Sequence, residues 1–173
     1  MTKVILSMST SLDGIAAPES ADADGMALWE AIAGWVFGLR SWREQQGLEG
    51  GADSVDSQVW ADNFARVGPQ IVGRTMFDYG YPHWGENPPF HAPVFVVTHR
   101  GQERIDKSGG TSYTFVTSGI AAAVEQARAV ADGKDVLLAD GVGIAREGLA
   151  AGLVDEVVLH VVPKLVGRGA WGW

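Results

Sequence analysis

Apolar residues along this chain fall into short compact runs and longer helical stripes that alternate from end to end. The runs are Lys3–Ser9 (KVILSMS), Pro69–Gly73 (PQIVG), Pro93–Thr98 (PVFVVT), Tyr113–Val116 (YTFV), Val136–Ala139 and Val157–Val162. Their length and β-branched content predict buried strands over about residues 2–9, 69–73, 93–98, 113–116, 135–139 and 156–162. Between them the spacing changes to three and four. Leu28, Ile32, Trp35, Val36 and Leu39 predict a helix over Ala27–Leu39. Val59, Trp60, Phe64 and Val67 predict the inner face of a helix to about Arg66, capped by Ser54 or Asp56. Ile120, Val124, Ala127 and Val130 mark a helix over Ile120–Ala131, behind a Thr117 or Ser118 cap. A short helix is expected to open at Gly73–Phe77 with Thr75 as its cap. Tyr79–Pro93, rich in glycine, proline and aromatics, reads as a functional loop. Strands alternating with helices argue for one α/β sheet. No repeat or linker divides the sequence, so the expected organisation is one domain over 1–173, with a Trp-rich helical insert at about 16–64.

The stretch from Lys134 to Gly169 organises the rest. A strand enters the glycine turn Asp140–Gly143, a helix follows over about Ile144–Ala151, and a second strand leaves through Gly152. Glycines between a strand and a helix N-terminus leave outward-pointing N–H groups, a natural anion site. The spacing is not GxGxxG, so a tight turn into a packing helix explains this segment equally well. Gly73-Arg74-Thr75 repeats the arrangement with a hydroxyl and a guanidinium fork added. Thr98-His99-Arg100 stands at another strand end. Asp13, in the turn Asp13-Gly14, puts a carboxylate beyond the first strand, where open α/β sheets keep ligands.

Composition narrows the setting. A net charge of −8 argues against nucleic-acid partners. The absence of cysteine removes disulfide and thiolate chemistry. No stretch reaches the roughly 18 apolar residues that span a bilayer, and no secretory leader is present, so the expected setting is cytoplasmic, away from membranes. His83 and His91 lack metal spacing, and no metal site is expected. Trp29, Trp35 and Trp42 are read as packing or interface residues.

Five segments together, SLDG at 11–14, VGRTMF at 72–77, HWGENPPFHAPVFVVTHR at 83–100, GGTSYTFVTSGI at 109–120 and AAGLVDEVVLHVVPKLVGRG at 150–169, resemble the RibD C-terminal (dihydrofolate-reductase-like) family in order and spacing. The resemblance implies a dihydrofolate-reductase-like three-layer sandwich around a central, mostly parallel sheet. It implies NADPH as cofactor, a small-molecule substrate and a homodimer. Carried over by position, Gly73, Arg74 and Thr75 lie at the phosphate-binding helix. Thr98, His99 and Arg100 lie near the adenosine 2′-phosphate. Gly141, Gly143 and Ile144, with Asp140, form the diphosphate turn. Asp13 falls at the catalytic end.

Two departures follow. The family carries Gly-Gly where this chain has Asp140-Gly141. A carboxylate about 4 Å from a phosphate would cost on the order of 4 kcal/mol at an effective dielectric near 20, roughly a thousandfold in affinity. Family members also continue beyond Gly167–Gly169 with a further hairpin, which here is missing or shortened, by truncation or by loss of edge strands. An open sheet edge would result, which a partner subunit could cover. The leading expectation is an NADPH-dependent reductase of a small heterocyclic (pterin- or pyrimidine-like) or unsaturated substrate. The alternatives are a non-redox enzyme on a repurposed reductase fold, with Asp13, Asp140 or His83 as acid or base, and a binding protein that uses the Trp-rich insert.

Overall fold

The computed structural model describes residues 1–20, 22–139 and 141–171. Seven strands form the main sheet: β1 (Val4–Ser11), β3 (Val67–Gly73), β4 (Pro93–Val97), β5 (Ile105–Asp106), β6 (Ser112–Val116), β7 (Asp135–Ala139) and β8 (Glu156–Val162). Their order is β5-β6-β4-β3-β7-β1-β8. Every pairing is parallel except that of the two-residue edge strand β5 with β6. A second, two-stranded sheet joins β2 (Ile15–Ala17) to β9 (Ala170–Trp171). Among the described residues, the chain after β8 forms only β9, and β8 pairs only with β1.

Alternation along the strands separates two cores. Val4, Leu6 and Met8 of β1, Ile71 of β3, Phe95 of β4, and Val136 and Leu138 of β7 face α5 (Ile120–Ala129) and α6 (Val142–Ala150). Val72, Val94, Val96 and Tyr113 face the other way, against α4 (Arg74–Trp84). Parallel strands buried on both faces require near-continuous apolar runs, and the sequence supplies them.

The six strands expected from the apolar runs are all present, with ends displaced by one or two residues. Other expectations are corrected. The helix expected over Ala27–Leu39 starts earlier, as α1 (Ala23–Ala33), because Asp22 accepts a hydrogen bond from the Gly25 N–H at 2.8 Å. It ends at Ala33 in a 3₁₀ turn, Gly34–Gly38. A short α2 (Arg40–Gln45) follows. Tyr79–Pro93 is not all loop, since α4 continues through Pro82 to Trp84. Phe77, Tyr81 and Trp84 recur at helical spacing, and all three rings pack on Tyr113. Burying them outweighs the proline, which costs only a backbone donor in the last turn. Ser54 caps α3 (Val55–Arg66), accepting from the Ser57 N–H at 3.2 Å. Val59 is on its solvent side rather than its inner face.

α3 is tied to the sheet by charge at its C-terminal end. Arg66 grips Glu156 with both terminal nitrogens, at 2.7 and 2.9 Å, and Asp135 through Nε at 3.0 Å. Lys3 joins Glu156 at 3.2 Å. These contacts, the Arg66 bonds first, hold the Glu156 carboxyl down from its ordinary 4.5 to about 2. A depressed folded pKa gives stability that is present above the ordinary value and lost as pH falls through the folded one. Urea unfolding of Arg66→Leu should therefore fall less steeply than wild type between pH 4.5 and pH 2. Parallel pH profiles would show that the cluster does not fasten α3.

Candidate active site

At the C-terminal ends of β3, β6 and β7, the parallel strands pass into α4, α5 and α6. The residues before these helices are Gly73, Gly119 and Gly141, and none of the three helices has a side-chain cap. Thr75 lies inside α4 and Thr117 and Ser118 precede Gly119, so the caps expected at these positions do not form. The first N–H groups of a helix carry partial positive charge and need acceptors. A glycine cap leaves them without a competing side-chain oxygen.

Gly73 and Gly141 bring two of these helix ends together. A Cβ on Gly73 would stand 3.2 Å from Cγ1 of Ile144, so the β3–α4 turn closes on the first turn of α6. Ile144 is itself buried and supports this approach through packing. Gly141 has φ +107°, a conformation that favours glycine. Among the described residues, a Cβ at Gly143 would meet no heavy atom within 4 Å. Asp140 lies outside the described residues.

Two arginines from separate motifs meet over α4. Arg74 Nε donates to Asp78 Oδ1 at 2.7 Å, one helical turn on, and Arg100 donates to Asp78 Oδ2 at 2.8 Å. One carboxylate shared by two guanidinium groups leaves one net positive charge beside the α4 N-terminus. The Arg74 guanidinium lies 5.5 Å from the Phe77 ring and 5.7 Å from that of Phe115, which limits its motion. Thr98 is buried, and its Oγ1 accepts the Arg100 N–H at 3.0 Å, fixing the turn that presents Arg100. Thr75 and His99 are exposed on the same rim. Asp78 was missed in the sequence, where its i,i+4 spacing from Arg74 was the available signal.

Asp13 has a different environment. Its carboxylate accepts from Ser11 Oγ at 2.7 Å and from the Val166 and Gly167 N–H groups at 3.1 and 2.7 Å. Ser11 Oγ in turn accepts the Ile15 N–H at 2.9 Å. The turn after β1 is thereby latched to the chain leaving β8, with Leu12 N donating to Lys164 O at 2.9 Å. The Ser11 bond first, then that from Gly167, lowers the Asp13 carboxyl from 3.8 to about 2. At neutral pH it is ionised and has no proton to give. His83 is nine residues along α4 from Arg74, about 13 Å along the axis and toward the strands' N-terminal ends. Among the described residues, no group of three or more His, Asp or Glu side chains is placed to hold a metal, and no helix is long and apolar enough to cross a membrane.

This sheet order, with helices on both faces and glycine-led turns along one edge, is matched by a known family. The RibD C-terminal domain matches residues 2–171, and the chain belongs to that family. Among solved structures it is similar to a putative riboflavin biosynthesis protein from Shewanella sp. PV-4, at 21% identity and a TM-score of 0.66. That match covers 99% of this chain and 82% of the other. It is also similar to RibD of Acinetobacter baumannii, at 18% identity and a TM-score of 0.55 over 99% of this chain. There it spans 48%, about half, of the longer protein. No curated protein sequence matches the chain.

The latch can be tested directly. In Asp13→Ala the Val166 and Gly167 amides should exchange with solvent roughly tenfold faster or more, while amides of β3 and β4 keep their protection. Unchanged exchange at 166 and 167 would remove the anchoring role.

Proposed function

We propose that this protein is an NADPH-dependent reductase of a small heterocyclic (pterin- or pyrimidine-like) or unsaturated substrate, working as a cytoplasmic enzyme. One observation carries the reading: Arg74 and Arg100 converge on Asp78 beside the uncapped α4, whose Gly73 turn closes on Ile144 in the first turn of α6. Membership of the RibD C-terminal domain family supports it, as do the names of its structural relatives, a riboflavin biosynthesis protein and RibD.

The residues fit a phosphorylated dinucleotide. Diphosphate oxygens need backbone donors and room for close approach, which Gly73, Gly141 and Gly143 offer. A further phosphate needs a fixed guanidinium at the rim, which Arg100 offers, with Thr98 holding its backbone and Thr75 and His99 beside it. Arg74 neutralises charge at the helix end. Ile144 keeps the two turns in register. NADPH, when bound, supplies the hydride, while the protein orients the partners and sets the local charge. Asp13 acts in this reading as a positioning residue that holds the catalytic end of β1 against the segment after β8. The proton comes from water.

Titration with NADPH and NADH, followed by tryptophan quenching, should show tighter binding of NADPH. Arg74→Ala should weaken both cofactors by roughly tenfold or more. Arg100→Ala should abolish the preference for NADPH, and Trp42→Ala should change neither. Wild-type affinity in Arg74→Ala would show that the phosphate site lies elsewhere.

The same reading takes the protein as a homodimer. Edge strand β8 exposes Val157, Leu159 and Val161 at 48%, 40% and 55%, an apolar face beside backbone that is unpaired among the described residues. Sedimentation should give the mass of a dimer, and Leu159→Lys should give a monomer. A wild-type monomer at micromolar concentration would contradict this.

A further inference from the structure

A cavity of about 280 Å³ opens at the N-terminal ends of β3 and β4, the opposite end of the strands from the glycine-led turns. From Gly68 in its wall to Gly73 at the proposed cofactor turn, β3 runs about 17 Å. Phe64 of α3 and the buried Phe90 supply aromatic walls. Pockets for drug-sized ligands usually measure about 300–1,000 Å³, so this one suits a smaller molecule.

Two side chains in the lining have acceptor atoms without partners. Gln70 is 5% exposed. Its Nε2 donates to the Phe90 carbonyl at 3.4 Å, while its Oε1 has no partner among the described residues. His91 is held from two directions. Its backbone N–H donates to Thr111 Oγ1 at 3.1 Å, and its Nδ1 lies 3.3 Å from the Gly109 carbonyl oxygen. A carbonyl only accepts, so Nδ1 carries the hydrogen, and Nε2 of the neutral ring is an acceptor. That nitrogen is buried with no hydrogen-bond partner among the described residues, an arrangement that costs stability. Apart from glycines, only His91 and Asp132 among the described residues have positive φ, at 49° and 47°. Both line this cavity. Such backbone is uncommon and gathers at ligand sites.

The charges at the rim are of opposite sign. Asp132 and Lys134 both line the cavity, and neither has an ion-pair partner among the described residues. The Lys134 stem lies along β3, since a Cβ on Gly68 would stand 3.1 Å from its Cβ and 3.5 Å from its Cδ. α5 ends at Ala129, just before Val130 and Ala131 in the cavity wall, which brings the negative end of the helix there. Arg128, the cation of that last turn, is engaged with Asp155 at 3.2 Å. The lining thus offers several acceptors and a carboxylate to a donor-rich cation, and one ammonium to an anion.

We propose that this cavity binds an α-amino acid with an apolar side chain, at a site separate from the catalytic edge. The ligand's ammonium faces Asp132, Gln70 and His91, and its carboxylate faces Lys134. Its side chain lies against Phe64 and Phe90. The site is independent of the reductase reading, because none of these residues belongs to the proposed cofactor site.

Three probes separate the contributions: L-phenylalanine, phenethylamine, which lacks the carboxylate, and N-acetyl-L-phenylalanine, which lacks the ammonium. Each would be titrated into the full chain by isothermal calorimetry, with and without NADPH. L-Phenylalanine should bind equally well in both conditions, and the other two at least roughly tenfold more weakly. Lys134→Met should weaken L-phenylalanine roughly tenfold and leave the weaker binding of phenethylamine unchanged. A merely structural defect would weaken both. Asp132→Asn should weaken L-phenylalanine and phenethylamine alike. No binding of L-phenylalanine at millimolar concentration, equal affinity for the three probes, displacement by NADPH, or equal losses for both amines in Lys134→Met overturns the amino-acid site. Binding of L-phenylalanine without binding of NADPH keeps this site and removes the reductase reading.

Discussion

The structure depends on one constraint, the burial of a parallel sheet on both faces. Parallel strands need crossover helices, and each helix starts where a strand ends. The helix N-termini therefore gather along one edge of the sheet, with their positive ends in one place. Here α4, α5 and α6 begin there behind glycines, without side-chain caps. The packing of Val4, Leu6, Ile71, Val136 and Leu138 against α5 and α6 holds that edge rigid. Charge collects at a place set by burial, and Arg74 and Arg100 add to it.

The two sheet faces serve different ends. The α5–α6 face is closed by small residues that let the helices approach, as where a Cβ on Gly148 would reach Leu138 at 2.7 Å. The opposite face is closed by α4 aromatics at β3, β4 and β6 and by α3, whose C-terminal end is fixed by the Arg66 cluster. The Trp-rich segment closes this side through Trp35 and Trp60, which pack edge-on at 6.3 Å.

Much of the sheet was legible because its strands are apolar runs of the length that two-sided burial demands. Elements that depend on contacts distant in sequence were not. Strands β2, β5 and β9 have three residues or fewer and exist only through their partners. α4 was cut short because Gly80 and Pro82 signal a break, while the gain from stacking Tyr81 and Trp84 on Tyr113 is visible only in three dimensions. The candidate site was legible in pieces. The glycine turns and the two arginine motifs could be marked, but not that Asp78 gathers both arginines. Asp13 could be placed at a strand end, but not its ion-latch partners Val166 and Gly167, more than 150 residues away.

In the proposed reductase, the dinucleotide lies across the glycine-led helix ends at the C-terminal edge of the sheet. Amide chemical-shift mapping during NADPH addition tests it most directly. The amides of Arg74, Thr75, Arg100, Gly141 and Gly143 should move together, while those of Val130–Lys134, at the opposite end of the strands, should stay in place. Shifts confined to that opposite end, or none at saturating NADPH, would contradict it.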